Sequence, residues 1–207
     1  MSLDDALGVF IHCVCGITRA GGEMNINAED FHARFPMLAA HASAQELAAL
    51  LDALTLQQVP AGEVLVRDGE PADTLYFLWD GRMVAFIESA NVSIELGHID
   101  PGETIGEVAV LDPGPATATV KAEVDCSVLA LSPQGLRTLD RNHPVMCSKL
   151  VRMLSQLLVE RLGAADDLLL RHRKATEAAG AASTPHHLRD WPMKVYRKLF
   201  GHREAAA

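Results

Sequence analysis

The sequence predicts an α+β chain in which a β-sandwich or barrel lies between an N-terminal helical segment and one long C-terminal helix. Three observations carry this. From Thr55 to Leu131, short β-type runs alternate with the turns Pro60-Ala61-Gly62, Asp68-Gly69, Asp80-Gly81, Pro101-Gly102 and Pro113-Gly114-Pro115. Strands punctuated at that spacing signal a sandwich or barrel. Before them, Phe31, Phe35, Leu38, Leu47, Leu50, Leu51 and Leu54 recur at helix-like intervals. After them, Val151, Leu154, Leu158, Leu162, Ala165 and Leu169 form an apolar stripe at three- and four-residue steps.

Taken in order, residues 28–54 read as helical, with Ser43 and Glu46 spaced as a capping box that starts a new helix. Within the β region, Leu75 to Trp79, the pair Asp80-Gly81, and Arg82 to Ile87 read as a hairpin, because Asp-Gly readily supplies the positive φ angles of a type I′ turn. Ser132 caps the next helix. The long stripe that follows covers the chain's own barrel in its first turns, and its later turns predict a homodimer seam over residues 145–170. Ala178 to Pro185 is small, Gly-containing and unpatterned, which reads as a linker. The expected organisation is an N-terminal helical extension (1–42), a barrel domain with its long helix (43–175), a linker (176–187) and a basic amphipathic tail (188–207).

Composition bounds the function. The 207 residues are 49% apolar and 22% charged, a globular balance with room for one ordinary domain plus extensions. A net charge of −9 argues against nucleic acid as a partner, since phosphate binding draws on clustered Lys and Arg. Cys13, Cys15, Cys126 and Cys147 form no paired zinc-ligand spacing, which points to a reduced, cytoplasmic setting and no metal. No run reaches the ~20 apolar residues of a membrane span. The apolar stretch Ala6 to Ile17 follows Asp4 and Asp5, where an export signal carries positive charge.

The residues with chemistry are Gly106-Glu107-Val108-Ala109-Val110-Leu111, then Asp112-Pro113-Gly114-Pro115, then Ala116-Thr117-Ala118-Thr119-Val120. A short helix starting near Glu107 turns backbone N–H groups and its positive dipole end toward an anion. Glu107 either accepts from a ligand hydroxyl or stabilises that helix end. Both readings are open. Gly106 permits close backbone approach or an unusual dihedral.

This string resembles the phosphate-binding cassette of cyclic-nucleotide-binding domains, as found in catabolite-activator-like regulators, cyclic-nucleotide-dependent kinases and gated channels. Gly62-Glu63, Gly69, Asp73 to Tyr76, Gly81, Gly102, Asp125 and Val128 to Leu131 follow in the family's order, so the resemblance covers about 130 residues. It implies a β-roll or jelly-roll barrel with a ligand site at Gly106, Glu107, Val108, Ala109, Ala116, Thr117 and Ala118. The implied ligand is cAMP or cGMP, with no other cofactor. In the family a glutamate matching Glu107 binds the ribose 2′-hydroxyl, and an arginine pairs with the cyclic phosphate. Ala116 stands at the arginine's position. Loss of that bidentate contact is expected to cost about 1.5–3 kcal/mol. Lys121, an odd number of residues further along the strand, is expected on the opposite face.

These features predict a non-enzymatic regulatory or sensor module with a degenerate pocket that signals through its C-terminal helix. The alternative is a ligand-free scaffolding module. The 27 residues after Gly180 are too few for the family's usual helix-turn-helix domain, so DNA is not an expected partner. Residues 188–200 combine Trp191, Tyr196 and Phe200 with Lys194, Arg197 and Lys198. Such a helix suits a groove on a partner protein, an anionic membrane surface, or the chain's own barrel.

Overall fold

The computed structural model of the chain describes residues 26–89 and 92–178. Two compact units divide it, Met1–Met153 and Leu154–Ala207. The first opens with three helices, α1 (Ala28–Arg34), α2 (Pro36–Ala39) and α3 (Ala44–Asp52). Asn27 and Ser43 each start a helix with a reciprocal capping box, Asn27 with Asp30 and Ser43 with Glu46. The expected box at Ser43 is therefore present. Phe35 sits between α1 and α2, where Pro36 starts the new helix.

Ten strands follow: β1 (Thr55–Val59), β2 (Val64–Val66), β3 (Pro71–Ala72), β4 (Leu75–Asp80), β5 (Met83–Ser89), β6 (Val92–Ile99), β7 (Thr104–Ile105), β8 (Gly114–Pro115), β9 (Thr119–Ala122) and β10 (Cys126–Leu131). They pair antiparallel into two four-stranded sheets, ordered β1-β10-β4-β7 and β2-β9-β5-β6, plus the short ladder β3-β8. The helix α4 (Glu107–Leu111) interrupts the strands. After them come α5 (Pro133–Asn142), capped by Ser132 as expected, and α6 (Pro144–Ala178). The architecture is the predicted jelly-roll-type α+β fold.

Alternation along the strands assigns the two faces of the first sheet. Val128 lies opposite Leu78, and both join a core with Val59 and Ile105 from the same sheet and Met83, Val120 and Ala122 from the other. The intervening pairs, Leu129 with Phe77 and Leu131 with Leu75, face the other way. There the N-terminal helices cover Phe77, the rings of Phe31 and Phe35 standing 5.6 and 5.3 Å from its own, both edge-on, and Leu131 lies against Gly135 of α5. Hence every residue of β10 is buried. The helices at 26–52 are a layer of the domain, packed by the same aromatic residues whose spacing marked them as helical.

The expected hairpin across Asp80-Gly81 is not formed. β4 pairs with β10 and β7, whereas β5 pairs with β9 and β6. Asp80-Gly81 instead carries the chain from one sheet to the other. The β9–β10 connection makes the same passage alongside it, with Met83 opposite Ala122 and Asp80 opposite Ser127. The two corners interlock closely. A Cβ on Gly81, whose φ is +95°, would lie 2.5 Å from Cys126 Sγ and 2.7 Å from the Asp125 carbonyl oxygen. The Glu123 amide donates to the Arg82 carbonyl at 3.0 Å. Asp-Gly signals a positive-φ turn, but the sheet in which the next strand finds its partner is decided by long-range pairing.

α6 begins with a tie to α3. Lys149 Nζ donates to both carboxylate oxygens of Glu46 at 2.8 Å, while Met146, Cys147, Leu150 and Met153 are buried. The same carboxylate accepts from the Ser43 amide at 2.7 Å. The second unit contains the continuation of α6 to Ala178. Cys13, Cys15, the greater part of the expected linker and the basic tail 188–207 lie outside the described residues.

Two predictions follow from this packing. Phe77→Ala should lower unfolding stability by about 3–5 kcal/mol, as expected for emptying a buried aromatic site. Val124→Ala, on a side chain 49% exposed, should change it by no more than about 0.5 kcal/mol. Urea unfolding measures both, and equal effects would contradict the assigned layers. The second prediction concerns acid. Hydrogen bonding from Lys149, then from Ser43, holds the Glu46 carboxyl at about 2, below its ordinary 4.5. The folded state thus favours the ionised form, so this stabilisation is present above pH 4.5 and is lost as pH falls toward 2. The stability difference between wild type and Glu46→Gln should shrink over that interval; a constant difference would contradict it.

Candidate functional site

The cassette is braced by one segment, residues 69–74. At its far end the Gly69 amide donates to the Ala116 carbonyl at 2.9 Å, and the Ala116 amide donates to the Glu70 carbonyl at 2.8 Å. In the middle, Pro71 and Ala72 pair with Pro115 and Gly114. At the near end, Thr74 lies against Gly106. A Cβ on Gly106 would come within 2.4 Å of the Thr74 carbonyl oxygen. With φ at +88° as well, position 106 is open only to glycine.

Gly106 leads straight into α4, so Glu107 is the first residue of a single helical turn that ends when the Asp112 amide bonds the Val108 carbonyl at 2.8 Å. Glu107 points inward and is 3% exposed. Its carboxylate accepts from the hydroxyl of Thr104, itself buried at the end of β7. Ala109 is buried beside it, whereas Val108 and Leu111 face solvent. Beyond β8, Ala116, Thr117 and Ala118 are half-buried. The next residue, Thr119, is buried and accepts from the Asp68 amide at 3.0 Å.

The predicted site residues therefore fall in two groups, Gly106 to Ala109 at the head of α4 and Ala116 to Ala118 leading into β9, both anchored on residues 69–74. Thr104 and the bracing role of residues 69–74 escaped sequence reasoning. Thr104 precedes Glu107 by three residues, and that spacing was its only signal. Thr74 and Gly69 act through backbone atoms, which leave no mark in residue type.

The charges are arranged asymmetrically. Between Thr104 and Val120 there is no Lys, Arg or His, while Glu107 and Asp112 supply carboxylates. Lys121 is exposed between the buried Val120 and Ala122, as strand alternation predicted. Arg67 meets Glu70 at 3.4 Å, with both side chains more than half exposed. Arg82 meets Asp100 at 2.8 Å, also at the surface. Among the described residues, no group of three His, Cys, Asp or Glu side chains could hold a metal ion, and no helix is long and apolar enough to cross a membrane.

Known proteins resemble the chain over this same region. Residues 56–143 match the family model of the cyclic nucleotide-binding domain. A cyclic nucleotide-gated potassium channel of Rhizobium etli is 30% identical over 72% of this chain and 41% of its own length. A cAMP-dependent protein kinase regulatory subunit of Emericella nidulans is 34% identical over 45% of this chain and 22% of its own. The chain thus spans less than half the length of either relative. A cyclic nucleotide-binding domain from Methylobacillus flagellatus shares the fold, with a TM-score of 0.64 at 22% identity over 70% of this chain and 85% of that one. The family-model match covers the barrel that holds the Gly106-Glu107 cassette.

Proposed function

We propose that the chain is a non-enzymatic regulatory module, cytoplasmic, in which occupancy of the cassette pocket is relayed through α6. The observation that carries this is the cassette turn: Gly106 with no room for a Cβ, followed by a buried Glu107, inside a barrel matched by the family model of the cyclic nucleotide-binding domain. The pocket residues are Gly106, Glu107, Val108, Ala109, Ala116, Thr117 and Ala118. Relatives named for gating by cyclic nucleotides and for cAMP dependence support a signalling role. The buried start of α6 and its Lys149–Glu46 tie to α3 give the relay a mechanical path, because motion there moves both helices. The proposed output is a homodimer seam along residues 145–170 or a contact of the tail 188–200 with a partner protein or anionic membrane. The net charge of −9 weighs against DNA.

A second reading, a scaffolding module that binds no ligand, is favoured by one observation: no cation lies between Thr104 and Val120. Calorimetric titration of the full chain with cAMP and cGMP separates the two. The sensor reading predicts saturable heat and a rise in melting temperature at ligand concentrations up to about 1 mM, the weak end of specific affinity. Neither heat nor shift with any cyclic nucleotide would leave the scaffold.

A further inference from the structure

We propose that the end of α1 is the rear stop of the cassette, with Gly102 as the positioning residue that sets where Gly106 and Glu107 stand. This deepens, and rests on, the reading of the cassette as the ligand site. Residues 102–106 are fixed at both ends. A Cβ on Gly102, whose φ is +97°, would lie 2.7 Å from the Arg34 carbonyl oxygen, and a Cβ on Gly106, whose φ is +88°, would meet the Thr74 carbonyl oxygen closer still. Between these points the segment is zipped to β4. The Gly102 amide donates to the Leu78 carbonyl and the Leu78 amide to the Glu103 carbonyl, both at 2.9 Å, while Thr104 and Ile105 pair with Phe77 and Tyr76.

The other side of the contact is equally firm. The Phe35 ring stands 5.3 Å from that of Phe77 and 6.3 Å from that of Trp79, and the Arg34 guanidinium lies 5.4 Å from the Trp79 ring centroid. The Phe35 amide closes α1 by donating to the Phe31 carbonyl at 2.8 Å. Gly102 therefore meets α1 backbone to backbone, where no change of rotamer relieves a displacement and close packing passes it on. What moves the end of α1 moves β7. Glu107 follows Gly106 directly, and its hydrogen bond from Thr104 joins its side chain to the same segment. α1 shares its layer with α3, which holds Lys149 of α6, so residues 102–106 connect the cassette to the helices of the proposed relay.

Gly62 supplies a matched control, since its φ is +85° and a Cβ there would meet nothing within 4 Å. Gly62→Ala carries the strain of an alanine at positive φ, whereas Gly102→Ala adds the clash with Arg34. The test compares amide NMR spectra of the labelled full chain without ligand. Gly102→Ala should shift the signals of Phe31 to Phe35 and of Gly106 to Ala109, and Gly62→Ala should leave both sets in place. Arg34→Ala, a milder change that releases the end of α1 from Trp79, should shift the same cassette signals by less. Cassette signals at their wild-type positions in Gly102→Ala, or in Arg34→Ala if the glycine variant does not fold, would overturn the proposal. So would equal cassette shifts in Gly62→Ala. Titration with cAMP adds the functional readout: Gly102→Ala should weaken binding about tenfold, the worth of one misplaced hydrogen bond, with Gly62→Ala within about threefold of wild type. Unchanged affinity in Gly102→Ala would overturn the positioning role. No binding by wild type counts against the cassette as the ligand site, and the ligand-free spectra still decide whether α1 positions it.

Discussion

The fold depends on a pair of sheet-to-sheet corners that lie against each other. Gly81 has no Cβ because Cys126 Sγ and the Asp125 carbonyl oxygen occupy that space, and Glu123 bonds Arg82 across the contact. This sends β4 and β10 into one sheet and β5 and β9 into the other, and the shared core of Leu78, Met83, Val120 and Val128 follows from it. With β4 fixed on one side by β10, its other edge can take β7. β7 delivers Thr104 to Glu107 and places Gly106 against Thr74. The site is thus a consequence of the corner. A bulky residue at position 81 would displace the cassette without touching it.

Helices close the remaining face of the same sheet. Phe77 points away from the sandwich core and is buried because Phe31 and Phe35 cover it. α3, in that helical layer, holds the start of α6 through Glu46 and Lys149. The barrel, the N-terminal helices and the first turns of the long helix therefore form one mechanical unit. A change at the cassette has a packed route to α6 through β4 and the helical layer.

The sequence made the architecture legible where the signal was local. Gly62, Gly69, Gly81 and Gly102, four of the five glycines that punctuated the β region, adopt positive φ, as does Gly106 of the cassette, whereas Gly114 lies in β8. Ser43, Ser132 and the aromatic spacing of 31 and 35 marked helix starts and faces for the same reason: cap and period are written in neighbouring residues. Strand partnership was not legible, because Asp80-Gly81 specifies a turn and not the strand that follows it into a sheet. At the site, Gly106 and Glu107 stood out by residue type. The bracing role of 69–74 did not, since Gly69 and Glu70 hold the cassette with main-chain atoms that any residue carries. The lack of a basic residue between Thr104 and Val120 was plain in the sequence, but that Arg67 and Arg82 are committed to surface carboxylates required the fold.

The central claim is that a small ligand enters at the cassette and that α6 responds. The most direct measurement is a residue-resolved amide NMR titration of the isotopically labelled full chain with cAMP. The account predicts shift changes at Gly106 to Ala109 and Ala116 to Ala118, accompanied by changes at the first turns of α6 around Lys149. Unperturbed cassette amides at saturating ligand, or changes confined to residues elsewhere, would contradict it.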